Sequence, residues 1–269
     1  MNTIAFIGGG NMASAIIGGL LKSGRAPADI LVLEPNADQR SRLQRELGVI
    51  TLEAPGSVLQ RADVVVWAVK PQTFRDAAAA CRPHVQRALH LSVAAGIRSD
   101  SIAQWLGTER IVRSMPNTPA LVGQGMTALY ARPAASEADR AQVERIIATT
   151  GEHLWVEAES QLDAVTALSG SGPAYVFYFL EAMVQAGSEM GLPPQQARRL
   201  AIGTFAGASE LARASDEPLS TLRERVTSKG GTTYAALTSL EQDQVKASFV
   251  KALHAACRRA TELGDEFGK

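Results

Sequence analysis

Cysteine and histidine are scarce in this sequence. Its 269 residues include two cysteines, Cys81 and Cys257, too few for a disulfide framework and typical of small apolar fillers on helices. None of the four histidines (His84, His90, His153 and His254) follows metal-ligand spacing. The sequence therefore predicts neither a disulfide-stabilised secreted fold nor a metal site.

An excess charge of one sign and long apolar runs are also lacking. The formal net charge is zero, with 27 basic and 27 acidic residues, and the basic residues form no long run. Nucleic acid and an anionic membrane are therefore not expected as main partners. No stretch reaches the roughly 18 apolar residues of a membrane span, and no basic leader precedes the first predicted strand. We expect a soluble cytoplasmic protein of one or two domains.

The first 24 residues contain a predicted strand, a glycine turn and a helix. Ile4 to Ile7 is a short branched apolar run, typical of a strand buried on both faces, and it ends in Gly8-Gly9-Gly10. Apolar residues then recur three and four apart as far as Gly24, which is helical spacing. This arrangement presents N–H groups to a pyrophosphate, with Gly8 for the turn, Gly10 for close approach and Ala13 for packing. A purely structural turn is the alternative.

The second predicted strand, residues 30–33, ends in Glu34. A carboxylate at this position can accept a hydrogen bond from the adenosine ribose of a dinucleotide, although a solvated charge at a strand end explains it equally well. Glu34 would favour NAD because it would repel a 2′-phosphate. Asn36 and Arg40 could instead accommodate that phosphate, so the sequence leaves the choice of cofactor open.

Three later strand ends also carry candidate binding residues. Lys70-Pro71-Gln72 follow the most hydrophobic strand, Ala95-Gly96 follow the strand from Leu89, and Asn117 lies between two prolines after the strand from Arg110. Ligands of open parallel sheets bind beyond the carboxyl ends of the strands. We expect the Lys70 turn to lie along a cofactor, and Asn117, in its rigid turn, to contact nicotinamide or substrate. A surface lysine and a structural turn are the alternatives.

Strands and helices alternate to about residue 157, which predicts a doubly wound α/β domain, and only helical patterns follow. The segment from Ala174 to Met190 is apolar on nearly every side, so it must be buried on every side. A helical domain of about a hundred residues buries too little surface to enclose it. We expect this domain to interlock with that of a second subunit as an obligate dimer. Cover by the first domain is the alternative.

Two glycine-rich turns lie in the helical half. Ser169-Gly170-Ser171-Gly172-Pro173 precedes the apolar helix, where Ser171 can cap the helix and also bind a ligand. The second turn, Val226 to Tyr234, combines two glycines, three threonines, a serine and a lysine between two predicted helices. Consecutive free N–H groups and hydroxyls of this kind form a pocket for a carboxylate.

Together these motifs resemble the pyrroline-5-carboxylate reductase family, the last enzyme of proline biosynthesis. The resemblance runs the full length of the chain and includes residues 7–12, 68–71, 114–120 and 169–175. Its most specific part is Val226 to Thr233 followed by Ala236-Leu237, which is similar to the family signature.

The resemblance implies an α/β fold with two domains. Residues 1–158 would form a Rossmann-like doubly wound sheet that binds the cofactor. Residues 159–269 would form an all-helical C-terminal domain for substrate binding and dimerisation, in intertwined dimers that often assemble into decamers. The implied cofactor is NADPH or NADH, and the implied contacts lie at four strand ends: Ile7, Gly8, Gly9, Gly10, Asn11, Met12, Glu34, Asn36, Val69, Lys70, Pro71, Gln72, Ala94, Ala95 and Gly96.

The resemblance also implies the substrate site and the reaction. The carboxylate of 1-pyrroline-5-carboxylate would lie against Ser228, Lys229, Gly230, Gly231 and Thr232. Thr233 would hydrogen-bond the ring nitrogen as the catalytic residue while hydride reaches the C=N carbon, giving L-proline. Water can protonate an imine, so no strong general acid is needed. Many members have Ser or Thr where this chain has Glu34, which leaves NADPH or NADH open.

Two other functions are compatible with parts of this pattern. A β-hydroxyacid dehydrogenase shares the order of sheet and helices but needs a catalytic lysine on the helix after the junction, and residues 169–195 contain no lysine. A non-catalytic nucleotide-binding protein could keep the same fold. The intact glycine turn and the intact Thr233 loop favour an enzyme over a binding protein.

Overall fold

The computed structural model describes residues 3–268. Within this range eight strands form one sheet in the order β3-β2-β1-β4-β5-β6-β7-β8. The strands are β1 Thr3–Ile7, β2 Ile30–Leu33, β3 Ile50–Leu52, β4 Ala62–Trp67, β5 Leu89–Ser92, β6 Ile111–Met115, β7 Gly125–Ala131 and β8 Gly151–Trp155. All neighbouring strands are parallel except β6 and β7. The doubly wound α/β fold class predicted from the sequence is confirmed.

Eleven α-helices accompany the sheet within the described residues. They are α1 Asn11–Lys22, α2 Ala37–Leu47, α3 Pro71–Cys81, α4 Ser99–Leu106, α5 Glu137–Ile147, α6 Gln161–Val165, α7 Gly172–Glu189, α8 Pro194–Arg213, α9 Leu219–Arg225, α10 Thr232–Gln242 and α11 Val245–Phe267. No helix in residues 3–268 is long and apolar enough to cross a membrane.

The central strands are buried on both faces. Every residue of β1 and β2 is buried, and the alternating side chains feed two apolar clusters, one on each side of the sheet. Since successive side chains of a strand point to opposite faces, an uninterrupted apolar run is what a sheet covered by helices on both sides requires. The edge strand β3 differs, because Ile50 is exposed and Thr51 and Leu52 are partly exposed.

The chain groups into two compact units, each described by itself. The sheet unit extends to Pro173 and includes the segment from Ala255 onward, and the helical unit is Ala174–His254. The predicted change from sheet to helices is present, because the last strand ends at Trp155. The last residues of α11 nevertheless pack in the sheet unit. The predicted domain boundary at residue 158 stays a prediction.

An ionic cluster holds the end of α11 in the sheet unit. Arg98 forms a bidentate pair with Asp163, at 3.1 and 2.9 Å, and the Thr261 hydroxyl donates to the same carboxylate at 3.0 Å. A side chain at Gly264 would lie 2.6 Å from the Arg98 guanidinium, so α11 approaches this cluster closely. Planar bidentate pairing of this kind fixes geometry as well as charge. It ties two distant parts of the chain to one another.

Buried His90 should make stability depend on pH. The indole N–H of Trp67 donates to its Nδ1 at 3.1 Å, and burial, reinforced by the charge of Arg110, lowers the pKa of His90 to about 4. This pKa lies below that of the unfolded chain, so neutral His90 contributes its full stabilisation above about pH 6.5. That contribution falls by about 3 kcal/mol as the pH decreases towards about 4.

His90→Gln removes the titrating group, so its free energy of unfolding should fall about 3 kcal/mol less than that of wild type between about pH 7 and about pH 4. Urea unfolding at fixed protein concentration, repeated across this pH range, gives the slope of the free energy of unfolding against pH for both proteins. A His90→Gln slope equal to that of wild type would show that the imidazole is not the group responsible.

Candidate active site

The turn after β1 requires glycine at its first position. Gly8 has φ +94°, and a Cβ there would lie 2.6 Å from the carbonyl oxygen of Ala68. The N–H of Gly8 donates to the Leu33 carbonyl at 2.8 Å, and that of Ala68 donates to the Ile7 carbonyl at 2.8 Å. Left-handed φ and close backbone approach both exclude a side chain here. The turn is therefore fixed between the carboxyl ends of β1, β2 and β4.

Gly10 has a different role from Gly8. It is the N-cap of α1 with extended φ and ψ of −71° and −168°, and within the described residues no side chain caps this helix. A Cβ on Gly10 would have nothing within 4 Å. The first N–H groups of a helix lack intrahelical acceptors. The start of α1 thus presents free donors and the positive end of the helix dipole to an open space, as an anionic ligand requires.

A cleft of about 490 Å³ lies along this turn. Seven residues predicted from the sequence to bind a cofactor line it: Ile7, Gly8, Gly9, Gly10, Glu34, Val69 and Lys70. The structure therefore brings together residues from the ends of three strands. Glu34 is fixed there by accepting from the N–H groups of Gly9 and Asn36, both at 2.9 Å.

Sequence reasoning missed part of the cleft wall. Glu53 follows β3, and one face of α3 contributes Thr73, Asp76 and Cys81. Burial raises the pKa of the Cys81 thiol to about 11, so this residue is a neutral, unreactive part of the wall. The three- and four-residue spacing along α3 from Pro71 was a usable signal, because these positions share one helix face.

The remaining predicted cofactor contacts lie outside the cleft lining. Asn11 and Met12 open α1, Asn36 caps α2, and Pro71 and Gln72 open α3. Ala94, Ala95 and Gly96 follow β5. Gly96 has φ +71°, and a Cβ there would lie 3.2 Å from Cβ of Leu263 on α11. Close packing of α11 thus explains this glycine without a ligand.

The Asn117 side chain has protein partners. Its amide nitrogen donates to the carbonyl and hydroxyl oxygens of Ser169, at 3.3 and 3.2 Å, and its Oδ1 accepts from the N–H of Met126 at 2.9 Å. These bonds join the turn after β6 to the segment before α7, which supports the structural alternative. A contact from Asn117 to nicotinamide or substrate stays a prediction.

The capping role predicted for Ser171 is wrong. Residues Thr166–Gly170 form a π-helical turn that joins α6 to α7, and Ser171 has helical φ and ψ of −84° and −16°. Its N–H donates to the Thr166 carbonyl at 2.8 Å. Since an N-cap residue has extended backbone, Ser171 cannot serve as one within this continuous helical path. A π-helical turn often marks a functional position, and the predicted binding role of Ser171 stays open.

The second glycine-rich turn leads directly into α10 in the helical unit. Gly230 has φ +74°, and Gly231 is the N-cap with no capping side chain in the described chain. Thr232 and Thr233 occupy the first turn of the helix. The Gly231 N–H donates to the Ser228 carbonyl at 3.0 Å, so the loop folds tightly around Ser228. As at α1, the free N–H groups at the start of α10 suit an anion.

Helix α7 buries only part of its apolar surface within the helical unit. Tyr175 and Phe179 contact Phe249 edge-on, with ring centroids 5.7 and 5.4 Å apart. Phe177 and Tyr178, in contrast, are 59% and 69% exposed. Adjacent exposed aromatic side chains on one helix are typical of a surface that another protein covers.

Known proteins resemble the chain over its full length. Residues 159–263 match the family model for pyrroline-5-carboxylate reductase dimerisation, and residues 3–96 match that for NADP oxidoreductase coenzyme F420-dependent. The chain is 42% identical to the pyrroline-5-carboxylate reductase of Pseudomonas aeruginosa over 268 residues, which is 99% of this chain and 98% of that relative.

Two solved structures are similar throughout. The pyrroline-5-carboxylate reductase of Coxiella burnetii has a TM-score of 0.90 at 38% identity and covers 97% of this chain and 98% of its own. The Plasmodium falciparum pyrroline carboxylate reductase, solved with NADP bound, has a TM-score of 0.88 at 28% identity and covers 98% of both chains. The chain belongs to the pyrroline-5-carboxylate reductase family.

Proposed function

We propose that this chain reduces 1-pyrroline-5-carboxylate to L-proline with NADPH or NADH, the final step of proline biosynthesis. Membership of the family makes it an oxidoreductase that acts on an imine. The single observation that carries the proposal is the cleft of the sheet unit. There the free N-terminus of α1, the glycine turn at Gly8 and the fixed carboxylate of Glu34 line one space. This set of groups suits a dinucleotide.

The residues present fit the cofactor. A pyrophosphate needs N–H donors and no side chain in front of them, and Gly10 meets both requirements. The adenosine ribose needs an acceptor at the end of β2, where Glu34 lies. Bound NADPH or NADH supplies the hydride for the C=N carbon. The chain itself has to bind the cofactor and the substrate, orient the substrate ring and align the reacting atoms.

Ser228 to Thr232 are the proposed site for the substrate carboxylate. The start of α10 offers N–H groups that no side chain of the described residues caps, and Lys229 adds a positive charge. A carboxylate placed there gains charge-assisted hydrogen bonds and the favourable end of the helix dipole. Binding through the carboxylate would fix one side of the small ring and leave the C=N bond free to be oriented.

Thr233 is the proposed partner of the ring nitrogen. Water can protonate the imine, and the resulting iminium is already a strong electrophile, so the chain needs no strong general acid. Its task is to hold the C=N carbon roughly 3–3.5 Å from the nicotinamide carbon that carries the hydride. A hydroxyl on the nitrogen orients the ring and stabilises the amine that forms. This explains why the two glycine-rich turns carry N–H and hydroxyl groups.

The test is turnover of the purified full-length chain. Reduced cofactor should be consumed only when 1-pyrroline-5-carboxylate is added, and L-proline should appear in equal amount by mass spectrometry. Reduction of the oxidised cofactor on addition of a β-hydroxyacid would instead indicate a β-hydroxyacid dehydrogenase. Nucleotide binding with no turnover of either substrate would indicate a non-catalytic binding protein.

We also propose intertwined dimers, assembled further into decamers, in the cytoplasm. The dimerisation model matched by residues 159–263 and the exposed aromatics of α7 support the dimer. Sedimentation over a range of protein concentrations should give the mass of two chains or of ten, with no monomer at micromolar concentration. A stable monomer would contradict the expectation that α7 is buried between subunits.

A further inference from the structure

Two acidic side chains line the proposed adenosine end of the cleft, and an arginine bonded to both of these residues lies beside them. Glu34 follows β2 and Glu53 follows β3, and both line the cleft. We infer that this chain binds the dinucleotide without a 2′-phosphate in preference to the phosphorylated one, and that Glu34 determines this preference. The inference rests on the proposed cofactor site.

The Glu34 carboxylate is held in one position. One oxygen accepts from the Gly9 N–H and the other from the Asn36 N–H, each at 2.9 Å. The first of these donors belongs to the glycine turn itself, so the carboxylate is fixed beside the proposed pyrophosphate position. Carboxylate oxygens keep further lone pairs, with which Glu34 can accept from a ribose hydroxyl. A phosphate in place of that hydroxyl would meet a negative charge that cannot easily move away.

The Arg40 guanidinium, which could offset this repulsion, is held by protein acceptors. Arg40 donates to the carbonyl oxygens of Glu34 and Pro35, at 2.9 and 2.7 Å, and to the Glu53 carboxylate at 3.2 Å. Its side chain is only 17% exposed. These bonds use three of the five N–H donors of the guanidinium. Moving the guanidinium onto a phosphate would break its ion pair with Glu53 and leave a second uncompensated negative charge in the cleft.

Asn36 is neutral and cannot offset the charge of Glu34. Its side-chain oxygen caps α2 by accepting from the Gln39 N–H at 2.9 Å, and its own N–H serves Glu34. Lys70 lines the cleft but follows β4, and β1 separates β4 from β2 in the sheet. It therefore lies on the pyrophosphate side of the turn. Of the two residues that left the cofactor choice open in the sequence, Arg40 is thus held by protein acceptors and Asn36 offers only a neutral amide.

The direct measurement is calorimetric titration of the full-length chain with ADP-ribose and with its 2′-phosphorylated analogue. Both probes lack nicotinamide, so binding is separated from turnover. Wild type should bind ADP-ribose about tenfold or more tightly than the analogue, since like charges a few ångströms apart near a protein surface repel by more than that factor requires. Glu34→Ser should lower this ratio about tenfold, and Glu34→Gln, which keeps the shape, should lower it as well.

Asp38→Asn is the matched control, because it removes one negative charge from the first turn of α2 outside the cleft lining. It should keep the wild-type ratio. Equal or tighter binding of the 2′-phosphorylated probe by wild type would overturn the inference, as would a ratio unchanged in both Glu34 variants.

Steady-state kinetics with NADH and with NADPH separates this inference from the proposed function. A kcat/KM higher for NADH than for NADPH supports both, whereas a higher value for NADPH overturns the inference alone. Discrimination between the two probes without any turnover of 1-pyrroline-5-carboxylate would reject the proposed reaction and keep the inference. Failure of wild type to bind either probe would reject the cofactor site and the inference together.

Discussion

Gly10→Leu is expected to abolish cofactor binding while the fold persists. Gly10 has a φ of −71° that any residue adopts, and a Cβ there meets nothing within 4 Å. The leucine side chain would instead fill the space in front of the α1 N–H groups, where the pyrophosphate is proposed to lie. The free energy of unfolding should change by only about 1 kcal/mol, the usual scale of a changed N-cap. Calorimetry with NADH and urea unfolding measure the two effects.

Two other glycines act as controls for this result. Gly18 lies on the same helix and also has open space around it, so Gly18→Leu should keep cofactor affinity. Gly8→Ala should instead destabilise the fold, because φ is +94° and Ala68 blocks the Cβ. Normal cofactor binding by Gly10→Leu would contradict the assignment of the turn.

Thr233→Ala is expected to lower kcat/KM for 1-pyrroline-5-carboxylate by about 100-fold, the scale of a loss of alignment by about 1 Å between the reacting atoms. Cofactor affinity should barely change, because Thr233 is not among the residues that line the cofactor cleft. Steady-state kinetics with saturating cofactor gives the first quantity, and calorimetry gives the second.

Conservative and positional controls distinguish chemistry from folding. Thr233→Ser keeps a hydroxyl and should recover most of the activity. Thr238 lies on the same helix, where its hydroxyl bonds the Tyr234 carbonyl at 2.9 Å, and Thr238→Ala should leave kcat/KM near wild type. Unchanged turnover by Thr233→Ala would rule out the proposed contact with the ring nitrogen.

Local physical rules account for the parts of the fold that sequence predicted well. The apolar run of β1 and the glycines after it lie where expected, and Ser136 with Asp139 forms a capping box at the start of α5. Each of these depends on residues within a few positions of one another. Strand β3 was missed because three residues, partly exposed at the sheet edge, carry too little pattern to indicate a strand.

Interactions between residues far apart in the chain could not be predicted from the sequence. Asn117 bonds Ser169, and Arg98 bonds Asp163, across more than fifty residues. The packing of the end of α11 in the sheet unit has no local pattern that reveals it. The choice of cofactor also needed the structure. The sequence predicts a carboxylate, Glu34, at the strand end, but only the structure shows which acceptors bind Arg40.

A crystal structure of the assembled protein with oxidised cofactor and L-proline would test the proposed site most directly. We expect the nucleotide in the cleft at Gly8 to Gly10 and the proline carboxylate at Ser228 to Thr232. The Thr233 hydroxyl of one subunit or the other should lie about 3 Å from the ring nitrogen. Ser228 to Thr233 lying far from the nicotinamide ring of both subunits would contradict the proposed site.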